Sequence, residues 1–320
     1  MIVDCSNTIP KFLLDDMRNP PDGFEGYSAL FGPRAAQMVG WTEEGFYSRL
    51  HKDSVQKVGN DLADDLEKWL TMDTLSRQLH EAGITYHAIH NMDYGQDPNE
   101  APVDHGYVAD ILVQYPKQFI GFAGFNPHKG TRSLKTVRRA IEDQGYKAAV
   151  ISPYIHGVFA DDRKYYPFYA LCEEMNIPIW IHTSVNYLVN TSIYYGHPSH
   201  LEVPLIDFPD LKIIAGHGGW PWGNELVVML MKYNNLYADT SATRPRYVAS
   251  PNTGWDMFYR YMNNMIQDKV LFSSDWLSMG MPIQAILDEV GKWNLKDTVM
   301  EKFLWKNANR VFCLGLDKVS

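Results

Sequence analysis

The chain alternates short apolar segments with helical patterns eight times in succession, which restricts the folds open to it. The apolar segments are rich in Val, Ile, Phe and Tyr, as the strands of buried parallel sheets are. They span 2–5, 84–89, 119–125, 148–152, 179–182, 212–215, 236–238 and 270–273. Because parallel strands are joined by crossover helices, eight such units predict an α/β fold, a (β/α)8 or TIM barrel. An open doubly wound sheet is the alternative, but the chain has neither a GxGxxG nor a GxxxxGK[ST] motif.

One long connection interrupts the alternation. A barrel of this type needs roughly 250 residues, and the 320 residues here predict a single barrel domain over 1–320 with one large insertion. The insertion spans 9–72, between the first strand and its helix, and 55–70 within it has a helical pattern. Long insertions in compact domains are usually lids or binding loops. The alternative is an element that packs against a partner subunit.

Composition excludes several classes of partner. The net charge is −9 and no Lys/Arg-rich run occurs, which argues against nucleic acid. No run reaches the ~18 apolar residues that a membrane span requires. The three cysteines, Cys5, Cys172 and Cys313, are too widely spaced for a disulfide framework. With no basic segment before the first apolar run, these features predict a cytoplasmic protein.

Three polar residues stand at the ends of three predicted strands. His182 ends the fifth strand, His217 follows the sixth, and Asp275 follows the eighth. A single histidine is most often a surface residue or a hydrogen-bonded core residue. Barrel active sites, however, lie at the carboxyl ends of the strands. The set therefore predicts a catalytic site made of these three residues.

Other residues near the predicted mouth are candidates for substrate binding. An arginine there can bind a carboxylate through two parallel hydrogen bonds, and tryptophans can line a pocket for a planar ring. The candidates are Arg244, Arg246, Trp220, Trp276, Tyr154, His90 and Asn126. The alternatives are a surface salt bridge for the arginines, rim packing for the tryptophans, and loop or core roles for the rest.

The order of these motifs resembles the amidohydrolase superfamily. The phrases "IIAGHGGWPW" and "VLFSSDW", with His182 before them, carry the resemblance. It is closest to the branch of aminocarboxymuconate-semialdehyde, γ-resorcylate and 5-carboxyvanillate decarboxylases. Supporting stretches are "FAGFNPH", "YPFYALCEEMNIPIWIHT" and "WKNANRVFCLGL", so that the resemblance covers about 84–316.

The resemblance implies a metal site, but the first strand departs from the family pattern. In the family, the equivalents of His182 and Asp275 bind a divalent, zinc-like metal, and the equivalent of His217 transfers a proton. Two further ligands come from the first strand, where this chain has Ser6 and Thr8. Neutral hydroxyls are poor zinc ligands, and catalytic zinc normally has three protein ligands.

Two interpretations of the site remain open. In one, a metal is held by His182, Asp275 and a substitute ligand, for which the candidates are His217, His90 and Asp4. In the other there is no metal, His217 and Asp275 form an acid–base pair, and His182 donates a hydrogen bond. The ligand count slightly favours the second interpretation.

The resemblance also implies an activity. It predicts a lyase that decarboxylates a small aromatic or dienoic carboxylate, with no organic cofactor, in a homodimer. The first alternative is a hydrolase of C–C, amide, ester or thioester bonds that uses the same site. The second is a non-catalytic barrel that has lost its metal. Retention of buried ionisable groups argues against the second, because such groups are costly to keep.

Overall fold

Eight parallel strands form one sheet in chain order in the computed structural model, which describes residues 1–318. The strands are β1 (Val3–Asp4), β2 (Tyr86–Asn91), β3 (Phe119–Gly124), β4 (Ala148–Ile151), β5 (Ile179–Ile181), β6 (Ile213–Ala215), β7 (Leu236–Asp239) and β8 (Val270–Leu271). The backbone N–H of Cys5 donates to the carbonyl oxygen of Phe272 at 3.0 Å, which links β8 back to β1. The predicted TIM barrel is therefore confirmed.

Helices separate the strands, as a parallel sheet requires. They are α1 (Pro10–Arg18), α2 (Glu25–Gln37), α3 (Glu43–Leu50), α4 (Val55–Glu67), α5 (Met72–Glu81), α6 (Gly106–Gln114), α7 (Thr131–Asp143), α8 (Pro153–His156), α9 (Tyr166–Glu174), α10 (Glu202–Asp207), α11 (Gly223–Lys232), α12 (Pro245–Val248), α13 (Asp256–Met262), α14 (Ile283–Val290), α15 (Asp297–Glu301) and α16 (Asn307–Phe312). No helix within residues 1–318 is long and apolar enough to cross a membrane.

The strands bury both faces, which explains why they appear in the sequence as continuous apolar runs. Alternate residues point into the barrel lumen, among them Val150, Trp180 and Ile214, while their neighbours pack under the helices. Phe312 of α16 lies 5.4 Å from Phe122 between ring centroids, within the lumen cluster. The C-terminal helix thus packs against the lumen residues.

The second strand starts two residues later than the sequence pattern suggests. It covers Tyr86–Asn91 rather than 84–89, so that His90 lies within the strand. Alternation places His90 on the lumen side with Ala88. His87 points the other way and lies 3.6 Å from the carboxylate of Asp4.

The insertion consists of α1 to α4 and lies at the carboxyl ends of the strands. Helix α2 packs closely on two loops, and glycines make this approach possible. A Cβ on Gly26 would overlap the carbonyl oxygen of Tyr187 after β5, and one on Gly280 after β8 would overlap the backbone of Ala35. The segment is therefore fixed against the barrel mouth by backbone-to-backbone contact.

Candidate active site

A buried tryptophan supports the centre of the site. Trp180 of β5 is 1% exposed, and its ring centroid lies 4.5 Å from that of His90 and 5.1 Å from that of His217. A Cβ on Gly216 would overlap the indole, so β6 reaches this ring only because glycine occupies that position. The indole Nε1–H donates to Asp239 Oδ2 at 2.6 Å.

The turn after β6 brings His217 against His182. His217 adopts φ 59° and ψ 25°, a left-handed conformation that non-glycine residues rarely take. Gly218 follows with φ +61°, and a Cβ there would overlap the ring of Trp255. In this turn, the rings of His182 and His217 meet edge to face with their centroids 4.8 Å apart. Strained backbone of this kind is common at functional sites.

Residues at the end of β7 hold His217. Its Nδ1 lies 2.7 Å from the hydroxyl of Ser241, and its backbone N–H donates to Asp239 Oδ1 at 2.9 Å. The hydroxyl of Ser241 lies 2.6 Å from the same carboxylate oxygen. Ser241 and Asp239 are both fully buried. A continuous hydrogen-bonded chain therefore joins Asp239, Ser241 and His217.

Burial disfavours the charged form of the imidazoles of the site. It places the pKa of His182 well below its ordinary value, and the nearby His217 lowers it further. The pKa of His90 falls to about 3 for the same two reasons. Burial also lowers the pKa of His217, although the carboxylate of Asp239 acts in the opposite direction. The Nδ1 of His182 and the Nε2 of His90 are buried without a hydrogen-bond partner in the protein.

Asp275 lies close enough to Asp4 and Asp239 for their charges to act on it. Burial raises the pKa of its carboxyl to about 8, and the charges of Asp4 and Asp239 add to the shift. Ion pairs within 4.0 Å among residues 1–318 include none between Asp275 and either His182 or His217. The hydroxyl of Ser241 lies against Nδ1 of His217, so the acid–base pair of His217 and Asp275 remains a prediction.

Aromatic side chains from the barrel and the insertion form one wall of the mouth. The Tyr154 ring lies 4.5 Å from that of His182, and its hydroxyl lies 3.2 Å from the hydroxyl of Tyr27 on α2. Nearby, burial raises the pKa of Asp16 on α1 to about 7. Desolvation of its hydroxyl end and the charges of Asp16 and Asp275 raise the pKa of Tyr94 well above its ordinary value, while 47% of the residue is exposed. This side of the mouth is therefore rich in aromatic and hydroxyl groups.

The two arginines proposed for carboxylate binding have other partners. Arg244 pairs with Glu289 of α14 at 2.6 Å through its NH2 group. Arg246 is exposed and donates to the hydroxyl of Tyr247 at 2.7 Å. Each guanidinium is thus engaged by a helix or loop beside the barrel. The structure gives neither arginine a contact with the histidine pair.

Tyr154 contacts His182 directly, and His90 adjoins the histidine pair through the shared ring of Trp180. The other three candidates pack or hydrogen-bond away from the pair. Trp276 is 1% exposed in the core, and Trp220 donates its Nε1–H to the carbonyl oxygen of Thr253 at 3.0 Å. Asn126 is fully buried and donates to three backbone carbonyls of residues 93–95, which fixes that loop. His90 is 8% exposed and stacked at 4.8 Å on Phe122.

The donor set does not fit a metal centre. No group of three or more His, Cys, Asp or Glu side chains that could hold a metal ion occurs in the part of the chain described. Ser6, at one of the family's ligand positions, is 2% exposed, and neutral hydroxyls at Ser6 and Thr8 cannot replace imidazole or carboxylate ligands. The proposed substitutes His217, His90 and Asp4 do not complete a third position.

Sequence reasoning missed Asp239 and Ser241. Both follow the seventh predicted strand directly, in "YADTSA". The strand-end rule that selected His182, His217 and Asp275 applies equally to them. The candidates predicted after this strand, Arg244 and Arg246, lie further along the same loop. Asp16 and Tyr94 lie in connections, and no pattern in the sequence placed them at the mouth.

Comparison with known proteins agrees with this architecture. The family model described as Amidohydrolase matches residues 71–314. The γ-resorcylate decarboxylase of Polaromonas sp. (strain JS666) is 21% identical over 251 residues, which cover 65% of this chain and 74% of that protein.

Two solved structures share the fold over nearly the whole chain. An uncharacterised TIM-barrel protein from Bordetella bronchiseptica has a TM-score of 0.68 at 21% identity, covering 98% of both chains. The 5-carboxyvanillate decarboxylase of Novosphingobium aromaticivorans has a TM-score of 0.64 at 16% identity, covering 98% of this chain and 96% of that one. The latter structure is a complex with manganese and 4-hydroxy-3-methoxy-5-nitrobenzoic acid.

Proposed function

Because the chain belongs to the amidohydrolase family, we propose that it decarboxylates a small aromatic or dienoic carboxylate. It is an enzyme of the lyase or hydrolase class, and its relatives include γ-resorcylate decarboxylases. The observation that carries the proposal is the edge-to-face contact of His182 and His217, with their ring centroids 4.8 Å apart. The contact supports a proton-transfer role for His217, because the neighbouring imidazole of His182 lacks a protein partner on Nδ1.

In this proposal His217 delivers the proton that replaces the carboxylate. His217 first takes up a proton from solvent on the ring nitrogen that does not face Ser241, and the charge of Asp239 favours this protonated ring. The same nitrogen then transfers the proton to the carbon that bears the carboxylate. The bond from that carbon to the carboxylate then breaks, its electron pair returns to the ring, and CO2 leaves. The net reaction consumes one proton, which His217 regains from solvent.

His182 and the aromatic wall orient the substrate in the same proposal. The unpaired Nδ1 of His182 is available to hydrogen-bond an oxygen on the substrate ring. Tyr154 and Tyr27 provide the side wall, and α2 acts as a lid because it carries Tyr27 over the mouth. Asp275 contributes a further polar group. Since the donor set among residues 1–318 does not fit a metal centre, the proposed reaction uses these side chains alone.

An assay of the purified protein tests this proposal. The panel contains 2,6-dihydroxybenzoate, other hydroxybenzoates and 5-carboxyvanillate, together with simple aryl esters and amides. We expect CO2 release in a one-to-one ratio with the arene product for at least one carboxylate. Cleavage of an ester or amide without CO2 release from any carboxylate would contradict the proposal and assign a hydrolase.

A further inference from the structure

The hydrogen bonds that join Asp239, Ser241 and His217 are compatible with one arrangement of their hydrogens. Asp239 Oδ1 accepts the backbone N–H groups of His217 and Ser241, each at 2.9 Å. Its Oδ2 accepts the indole N–H of Trp180 at 2.6 Å. These three donors cannot act as acceptors, so both carboxylate oxygens are already committed to receiving hydrogen bonds.

Because Asp239 only accepts hydrogen bonds, the hydroxyl of Ser241 also determines which group donates in its contact with the imidazole of His217. It lies 2.6 Å from Asp239 Oδ1 and 2.7 Å from His217 Nδ1, and it has a single hydrogen. A hydroxyl between an acceptor-only carboxylate and a ring nitrogen donates to the carboxylate. Its oxygen is then the acceptor for the other contact, which requires a hydrogen on Nδ1 of His217.

We propose that Asp239 and Ser241 are positioning residues that hold the proton of neutral His217 on Nδ1 and leave Nε2 as the nitrogen that exchanges protons with the substrate. The assignment of Nε2 as the reacting atom rests on the proposed function, whereas the location of the proton rests on the hydrogen bonds alone. Asp239 orients the ring indirectly, through a serine hydroxyl, in the way that a carboxylate directly bonded to an imidazole does in other enzymes.

The opposite arrangement would need an extra proton on Asp239. Ser241 could donate to His217 only if Asp239 donated to Ser241, which requires a hydrogen on an oxygen that already accepts two backbone N–H groups. Both residues are fully buried, so no solvent molecule can take over one of the contacts. The geometry therefore favours a single tautomer.

Nitrogen NMR of the whole protein labelled with ¹⁵N-histidine tests this inference without a substrate. The His217 signals are identified by their loss in His217→Asn. In the unsubstituted protein, we expect the neutral ring of His217 to carry its hydrogen on Nδ1. Beyond His217→Asn, this measurement needs no further variant. A hydrogen on Nε2 would overturn the proposal.

Substitution of the serine provides a second test. In Ser241→Ala we expect the Nε2–H tautomer of His217 to become populated, and the matched control Ser273→Ala to leave it unchanged. Ser273 is a buried strand-end serine whose hydroxyl donates to the carbonyl oxygen of Ser6 instead. An unchanged tautomer in Ser241→Ala would overturn the proposal.

Activity separates this inference from the proposed function. Once a substrate is found, Ser241→Ala should reduce kcat roughly tenfold or more with little change in KM, as expected for loss of a hydrogen bond that orients a proton carrier. If the tautomer changes as expected while kcat does not, the positioning of the ring holds and the role of His217 in catalysis fails.

Discussion

The imidazole rings of His182 and His217 meet edge to face, with their centroids 4.8 Å apart, although 34 residues separate them along the chain. Neighbouring parallel strands carry them, because β5 pairs with β6 and places Ile181 opposite Ala215. The two side chains are therefore brought together by the register of the barrel. Tyr27 of the insertion contacts Tyr154, whose ring lies beside that of His182.

The raised pKa of Asp16 predicts that stability depends on pH. Its pKa in the folded protein is about 7, mainly because of burial, against an ordinary value of 3.8. Between these values the folded state holds the proton and the unfolded state has lost it, so this carboxyl lowers stability as pH rises. Urea unfolding should show Asp16→Asn gaining stability relative to the unsubstituted protein between about pH 4 and pH 7. A difference in unfolding free energy between the two proteins that stays constant over this pH range would contradict the raised pKa of Asp16.

A buried ion pair beside the mouth should be essential for stability. Lys129 Nζ lies 2.5 Å from Asp93 Oδ1, and the two side chains are 3% and 1% exposed, respectively. The same ammonium group also donates to the carbonyl oxygen of Tyr94. Replacing Lys129 with Met would leave a buried carboxylate without its partner, which costs about 3–5 kcal/mol. The free energy of unfolding from urea titration measures this loss.

A matched control for that substitution lies on α4. Lys57 pairs with Asp61 at 3.1 Å, but its side chain is 56% exposed. Lys57→Met should change the free energy of unfolding little, because water screens such surface pairs. Equal losses of unfolding free energy in Lys57→Met and Lys129→Met would show that burial does not determine how much an ion pair contributes to stability.

The close packing of α2 predicts that Gly26→Ala weakens the lid. The new Cβ would overlap the carbonyl oxygen of Tyr187, and relieving such an overlap costs about 1–3 kcal/mol. We expect faster proteolysis within α2 and a higher KM. In the control Gly291→Ala, the nearest atom is Leu287 O at 3.4 Å, an ordinary contact. Unchanged proteolysis and KM in Gly26→Ala would exclude tight closure by α2.

The sequence predicted the barrel because strand and helix signals are local. Eight buried runs with helical patterns between them suffice for the fold, and the rule that active sites lie at strand ends located His182 and His217. The rule also brought in Asp275, but it could not show that Ser241 is the partner of His217. That pairing depends on a left-handed turn at His217, which only the folded backbone reveals.

Side-chain direction explains why several predicted substrate-binding residues have other partners in the structure. Arg244 follows β7 as expected, but it turns to Glu289 of α14, a partner 45 residues further along the chain. Trp276 is buried in the core immediately after Asp275. Proximity to a strand end places a residue near the mouth without fixing where its side chain points. The homodimer and the cytoplasmic location remain predictions.

Deuterium transfer by metal-stripped protein tests the central claim most directly. Protein treated with a chelator, with its residual metal content measured, is mixed in D2O with a carboxylate that the panel identifies as a substrate. We predict that the arene product carries deuterium at the carbon that lost CO2, and that His217→Asn abolishes this transfer while the exposed-surface control His80→Asn retains it. A reaction that requires added metal, or that persists in His217→Asn, would contradict the account.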